Sequence, residues 1–155
     1  TCYLTVVLFN QTMDMVYDRE DIRHVPPMTE KDYVAGGCTA MLDAVGLSIR
    51  RMEKLLSHKP KDACPDHVVF FITTDGCENA STRFSWNDIH RLISKGKEMG
   101  WTFIFSGADI DVKETADRMG IDEDRAYAFQ RTPAGIAKNM VIVDECLEAI
   151  RKGMK

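Results

Sequence analysis

Long apolar runs are missing from this chain. Its longest apolar runs are of strand length, too short to cross a bilayer, and no charged-then-apolar leader is visible. Also missing is an excess of positive charge. A formal net charge of −4 and a pI near 5.5 weigh against a nucleic-acid binder, which usually carries a basic face. The cysteines lack pairing: Cys2, Cys38, Cys64, Cys77 and Cys146 are five, an odd set with no C-x-x-C spacing. That speaks against a disulfide framework or a zinc site and for a reducing compartment, by default the cytoplasm. No G-x-G-x-x-G follows a strand, no P-loop is present, and His24, His58, His67 and His90 form no H-E-x-x-H or i,i+4 pair. No Ser–His or Cys–His pair is evident, so an enzyme is not the expectation.

What is present is an ordinary globular composition. The chain has 155 residues, 45% of them hydrophobic and 28% charged, enough for one domain (residues 1–155) with a sizeable core. Residues 3–9, rich in β-branched and aromatic types, predict a strand; Asn10-Gln11-Thr12 predicts a hairpin loop and 13–17 the antiparallel return, with 22–25 continuing that edge up to Pro26-Pro27. A loop over 28–38 carries Gly36-Gly37. A helix over 40–57 follows, with Met41, Leu42, Val45, Ile49, Met52 and Leu56 along one stripe. Residues 67–73 predict a buried strand. Ser85-Trp86-Asn87-Asp88 resembles a capping box ahead of a helix whose inner face is Ile89, Leu92 and Ile93, joined by Met99. Residues 101–105 predict another strand, and a second box, Asp111 to Glu114, opens a short helix ending near Gly120. Residues 127–129 predict a weak strand. Thr132-Pro133 opens a last helix burying Ile136, Met140, Val143, Leu147 and Ile150. Alternation of this kind predicts an α/β fold: a Rossmann-like, doubly wound, mostly parallel sheet with one antiparallel edge strand and helices on both faces.

Ligands of such sheets gather outside the carboxyl ends of the strands. Asp75 and Asp109 sit at two of those ends, and Thr39 at the loop–helix junction after Gly36-Gly37. A hydroxyl, carboxylates and flexible backbone at one rim suit a hard divalent cation. Each residue also has a plainer reading. Asp75-Gly76 makes a turn; Thr39 caps its helix; Asp109 and Asp111 are a turn residue and a cap. On the same plain reading, Glu78 is solvated, Asn79 and Ser81 are loop residues, and Trp86 and Trp101 pack the core. Cys38 and Cys77 read as buried thiols, since no histidine is placed beside them as a base.

Two segments resemble motifs of a known family. "GGCTAMLDAVG" (36–46) is similar to the second metal loop of von Willebrand factor type A domains, and "VVFFITTDGCENAS" (68–81) to their third. With the hairpin "VVLFNQTMDMVYDRE", the "WTFIFSGADID" segment and the C-terminal helix in the expected order, the whole chain looks like the small stand-alone type A proteins of bacteria and their phages. The resemblance implies a metal ion-dependent adhesion site (MIDAS) holding Mg²⁺, or Mn²⁺ or Ca²⁺, with Thr39 and Asp75 as metal residues. It implies a non-enzymatic protein-interaction module that accepts an acidic side chain of a partner protein, with no nucleic acid and no membrane involved. The family's first metal loop, D-x-S-x-S, occurs nowhere in the chain, which begins where the family's second strand is expected. The central first strand is therefore expected to be absent and the domain N-terminally incomplete. Its place would be filled by a missing segment, a swapped strand or a complementing chain. Divalent binding by the chain alone is then expected to be weak or absent. A Rossmann-like enzyme using the same rim and a metal-independent type A scaffold are the alternative readings.

Overall fold

The computed structural model describes residues 1–29, 31–32 and 36–153; part of the 28–38 loop lies outside these residues. The chain is mixed α/β. β1 (Tyr3–Phe9) and β2 (Met13–Asp21) form an antiparallel pair. β3 (Val69–Thr74), β4 (Thr102–Gly107) and β5 (Ala126–Ala128) form a parallel sheet in that order. Four helices accompany them among the described residues: α1 (Met41–Ser57), α2 (Trp86–Glu98), α3 (Val112–Met119) and α4 (Pro133–Arg151).

Local chemistry explains where these elements start and stop. Ser85 Oγ accepts from the Asp88 amide at 3.2 Å while the Asp88 carboxylate accepts from the Ser85 amide at 2.9 Å, a complete capping box on α2. At α3 only half of the expected box forms: Asp111 accepts from the Glu114 amide. Gly120 ends α3 in the left-handed region, at φ 78°. Thr132 caps α4 through the Gly135 amide, with Pro133 at its first position. β2 stops at Asp21, and residues 22–24 turn into a short 3₁₀ segment whose start Asp21 caps, so the edge does not continue to Val25 as expected.

The core lies between β3–β4 and the helices α1, α2 and α3. Ile49, Ile89, Ile93, Phe105 and Met119 are wholly enclosed there, joined by Leu42, Ile72, Phe103 and Trp101. Each such side chain contributes about 1.5–3 kcal/mol by leaving water. β4 is buried on both faces, which is why its centre, Phe103-Ile104-Phe105, is continuously apolar. Phe103 and Phe105 enter the core. Ser106, pointing the opposite way, donates to Asn139 Oδ1 of α4 at 2.6 Å in a buried contact.

Two burial expectations are corrected. On α4 the buried residue is Asn139; Ile136 and Met140 are each 49% exposed, and Val143, Leu147 and Ile150 only half-buried, because little of the chain faces that stripe. Met99, expected inside, is exposed, since α2 has already ended at Glu98. Trp101 is buried and stacks with Phe70 at 5.6 Å, whereas Trp86 is partly buried beneath the Arg118 guanidinium.

Candidate functional site: the rim at the ends of β1, β3 and β4

Three loops meet at one rim: the turn after β3, the turn after β4, and the segment leading into α1. Thr74 closes the first. Its buried hydroxyl donates to the Gly76 carbonyl at 3.0 Å and accepts from the Gly76 amide at 3.3 Å, leaving Asp75 at the tip. Gly76 is needed for close approach: a Cβ there would lie 3.1 Å from Thr39 Oγ1. Thr39 and Asp75, predicted from sequence as neighbours in function, thus come from loops in direct contact.

Thr39 is not the helix cap that its position suggests. The N-cap residue of α1 is Ala40, which makes no side-chain cap bond. The backbone of Thr39 is consumed instead: its amide donates to Asn79 Oδ1 at 2.8 Å, and its carbonyl accepts from the amides of Asn79 and Ala80. Its hydroxyl makes no hydrogen bond among the described residues.

Glu78 performs the capping. Its Oε2 accepts from the Leu42 amide at 2.9 Å and from Ser81 Oγ at 2.9 Å, and its Oε1 accepts from the amides of Ala80 and Ser81. Ser81 Oγ accepts in turn from the Asp43 amide at 3.0 Å. A carboxylate at this helix start also complements the positive end of the dipole. Asp43 returns the favour, accepting from the amides of Thr82, Arg83 and Phe84 at 2.9 Å each. Burial pushes the Asp43 carboxyl upward, but those three backbone donors outweigh it and hold it below the ordinary carboxylate range. Glu78 is therefore structural, not solvated, and Asn79 and Ser81 are stitches, not ordinary loop residues. Sequence reading missed them because Thr39, Leu42 and Asp43, whose amides they hold, lie about 36–40 residues earlier in the chain.

The turn after β4 presents Asp109, whose φ of 57° is the left-handed conformation that Asp tolerates. Asp109 and Asp75 share one cation. Arg131, just ahead of α4, places Nη1 3.3 Å from Asp109 Oδ2 and Nη2 3.5 Å from Asp75 Oδ2. All three side chains are more than half exposed. Arg131 was not singled out from sequence, since nothing local to it signals two carboxylates on other loops.

β1 joins the same rim. The Asn10 carbonyl, just past its end, accepts from the Ala40 amide at 2.7 Å, and Gln11 Oε1 accepts from the Cys38 amide at 3.1 Å. Cys38 and Cys77 flank this region as exposed thiols, not the buried ones expected, because both lie on loops outside the core.

Chemically, the rim offers one free hydroxyl and two exposed carboxylates, hard oxygen donors suited to Mg²⁺, Mn²⁺ or Ca²⁺. No three His, Cys, Asp or Glu side chains converge as a metal cluster among the described residues, and no helix there is long and apolar enough to cross a membrane. Compared with family models, with curated proteins and with solved structures, the chain matches none of them.

Proposed function

We propose that the rim is a divalent-cation-dependent protein-docking site of the von Willebrand factor A kind, with Thr39 and Asp75 among the oxygen donors. An acidic side chain of a partner protein completes the ion's shell. The observation that carries this reading is the placement of an unengaged Thr39 hydroxyl against Gly76, one residue from Asp75. A structural threonine at a helix start would be spent on capping; here Glu78 has taken that task. The same reading joins the two strand groups into one Rossmann-like, doubly wound sheet. The chain's own donors are few, so the ion is held weakly by the chain alone.

Titrating Mn²⁺ and following water-proton relaxation tests the site. Weak binding is expected, reduced at least about tenfold in Asp75→Ala and also reduced in Thr39→Ala, as for other losses around sparse metal sites. A pool of Asp- and Glu-containing peptides should then be retained by the immobilised protein in Mg²⁺ and released by EDTA. Binding of Mn²⁺ that is equal in wild type and both variants places the ion elsewhere and defeats the reading. Retention indifferent to EDTA favours a metal-independent scaffold, a reading to which the Arg131 bridge between Asp75 and Asp109 lends support by already neutralising the rim.

A further inference from the structure

We infer that the buried Ser106–Asn139 hydrogen bond is a lock that sets the roll of α4, holding the helix away from the orientation its own apolar residues favour. The sequence of α4 poses the conflict. Ile136, Met140 and Leu147 fall on one stripe, yet Ile136 and Met140 are each 49% exposed while Asn139 is 2% exposed. A polar amide thus takes the most enclosed position of a helix that offers several apolar residues for it. Burial of apolar area alone would select the opposite arrangement.

Helix geometry gives the size of the conflict. Ile136, Met140 and Leu147 lie about 60°, 100° and 80° round the axis from Asn139, all on the same side. A roll of about 80° would turn that stripe toward the sheet and carry Asn139 to its edge.

What opposes the roll is polar. Ser106 Oγ, on a wholly enclosed residue of β4, donates to Asn139 Oδ1 at 2.6 Å. Ile104, on the same face of β4, is wholly enclosed as well, so the pair sits beside apolar matter. A rolled α4 would leave the Ser106 hydroxyl buried without its acceptor, which costs more than an ordinary hydrogen bond contributes. The neighbours of Asn139 cannot replace it. One turn away in either direction stand Gly135, Ile136, Ile142 and Val143, none with a side-chain acceptor. A second contact acts in the same sense two turns on: Cys146 lies on the Asn139 side of α4, its Sγ 3.6 Å from Tyr127 Oη of β5. One seating of the helix therefore satisfies Ser106, and a buried polar pair chooses between packings that apolar burial would rank the other way. The lock is separate from the cation reading, since neither Ser106 nor Asn139 is among the rim donors.

NMR on the whole chain, labelled at the methionine methyls, tests the lock, with the neutral nitroxide TEMPOL as the probe of exposure. In the unaltered protein Met140 should broaden as the exposed Met99 does, while the enclosed Met41 and Met119 stay sharp. In Ser106→Ala the broadening of Met140 is expected to fall at least threefold, toward that of Met41. Asn139→Ala should act the same way, and it carries the test if the first variant does not fold. The direction is diagnostic, because a contact that merely fastened α4 would, once lost, expose Met140 further. Met140 unchanged in the variants, or broadened more than in the unaltered protein, overturns the lock.

Discussion

Arg131 sets the charge balance of the rim. A guanidinium between two carboxylates competes with any cation for the same oxygens, yet its contacts are long and exposed, worth only about 0.2–1 kcal/mol each. Arg131→Gln should therefore raise Mn²⁺ affinity about fivefold, the effect of removing roughly 1 kcal/mol of like-charge repulsion, and the gain should shrink as salt is added. Competition titrations at low and high ionic strength check this. Gly76→Ala should act oppositely. Its methyl meets Thr39 Oγ1 at 3.1 Å, so the hydroxyl is displaced and Mn²⁺ binding falls while the fold persists, as far-ultraviolet circular dichroism would report. At this scale the closeness of the Thr39 and Asp75 loops was legible, because a glycine-rich loop and a T-D-G turn mark them in the chain itself. Arg131, Glu78 and the exposed state of Cys38 and Cys77 were not, because each is decided by a neighbour far away in sequence.

Among the elements, α1 depends most on residues outside itself. With Ala40 at its N-cap, its first amides are satisfied by Glu78, Ser81 and the Asn10 carbonyl. Glu78→Ala should cost about 1–3 kcal/mol, as for a lost cap that leaves half-buried amides unpaired, read from urea denaturation midpoints. Acid should loosen this joint and the start of α2. Asp43 is held below its ordinary value by three backbone donors working against burial, and Asp88 at about 2 by the amide and hydroxyl of Ser85 and by Arg91. A carboxyl depressed by folding adds stability above its unfolded value, near pH 4, and loses it as pH falls through the folded one. The melting temperature should thus drop between about pH 4 and pH 2, and less steeply in Asp43→Asn. Helix periodicity and the Ser85 box made α1 and α2 readable to within a residue or two. The second box read too much into Glu114, whose side chain makes no return bond to Asp111 among the described residues.

At the scale of the molecule, the alternation of strands and helices told the class, an α/β chain with parallel β3–β5 and an antiparallel β1–β2 pair. Burial on α4 was misjudged because an apolar stripe signals what a helix can cover, not what is there to be covered. Stability should show the difference. Ile49→Ala, in the enclosed core, is expected to cost about 2–5 kcal/mol, whereas Met140→Gln on the open stripe should change unfolding by no more than about 0.5 kcal/mol; chemical denaturation of the two variants compares them. The long-range cap on α1 also bears on synthesis. The helix is translated well before Glu78 and Ser81, so its first turn leaves the ribosome with amides that only water can serve. Order at that end must wait until the β3–α2 loop has emerged, and the Thr39 hydroxyl reaches its station only when the later half of the chain has arrived to hold it.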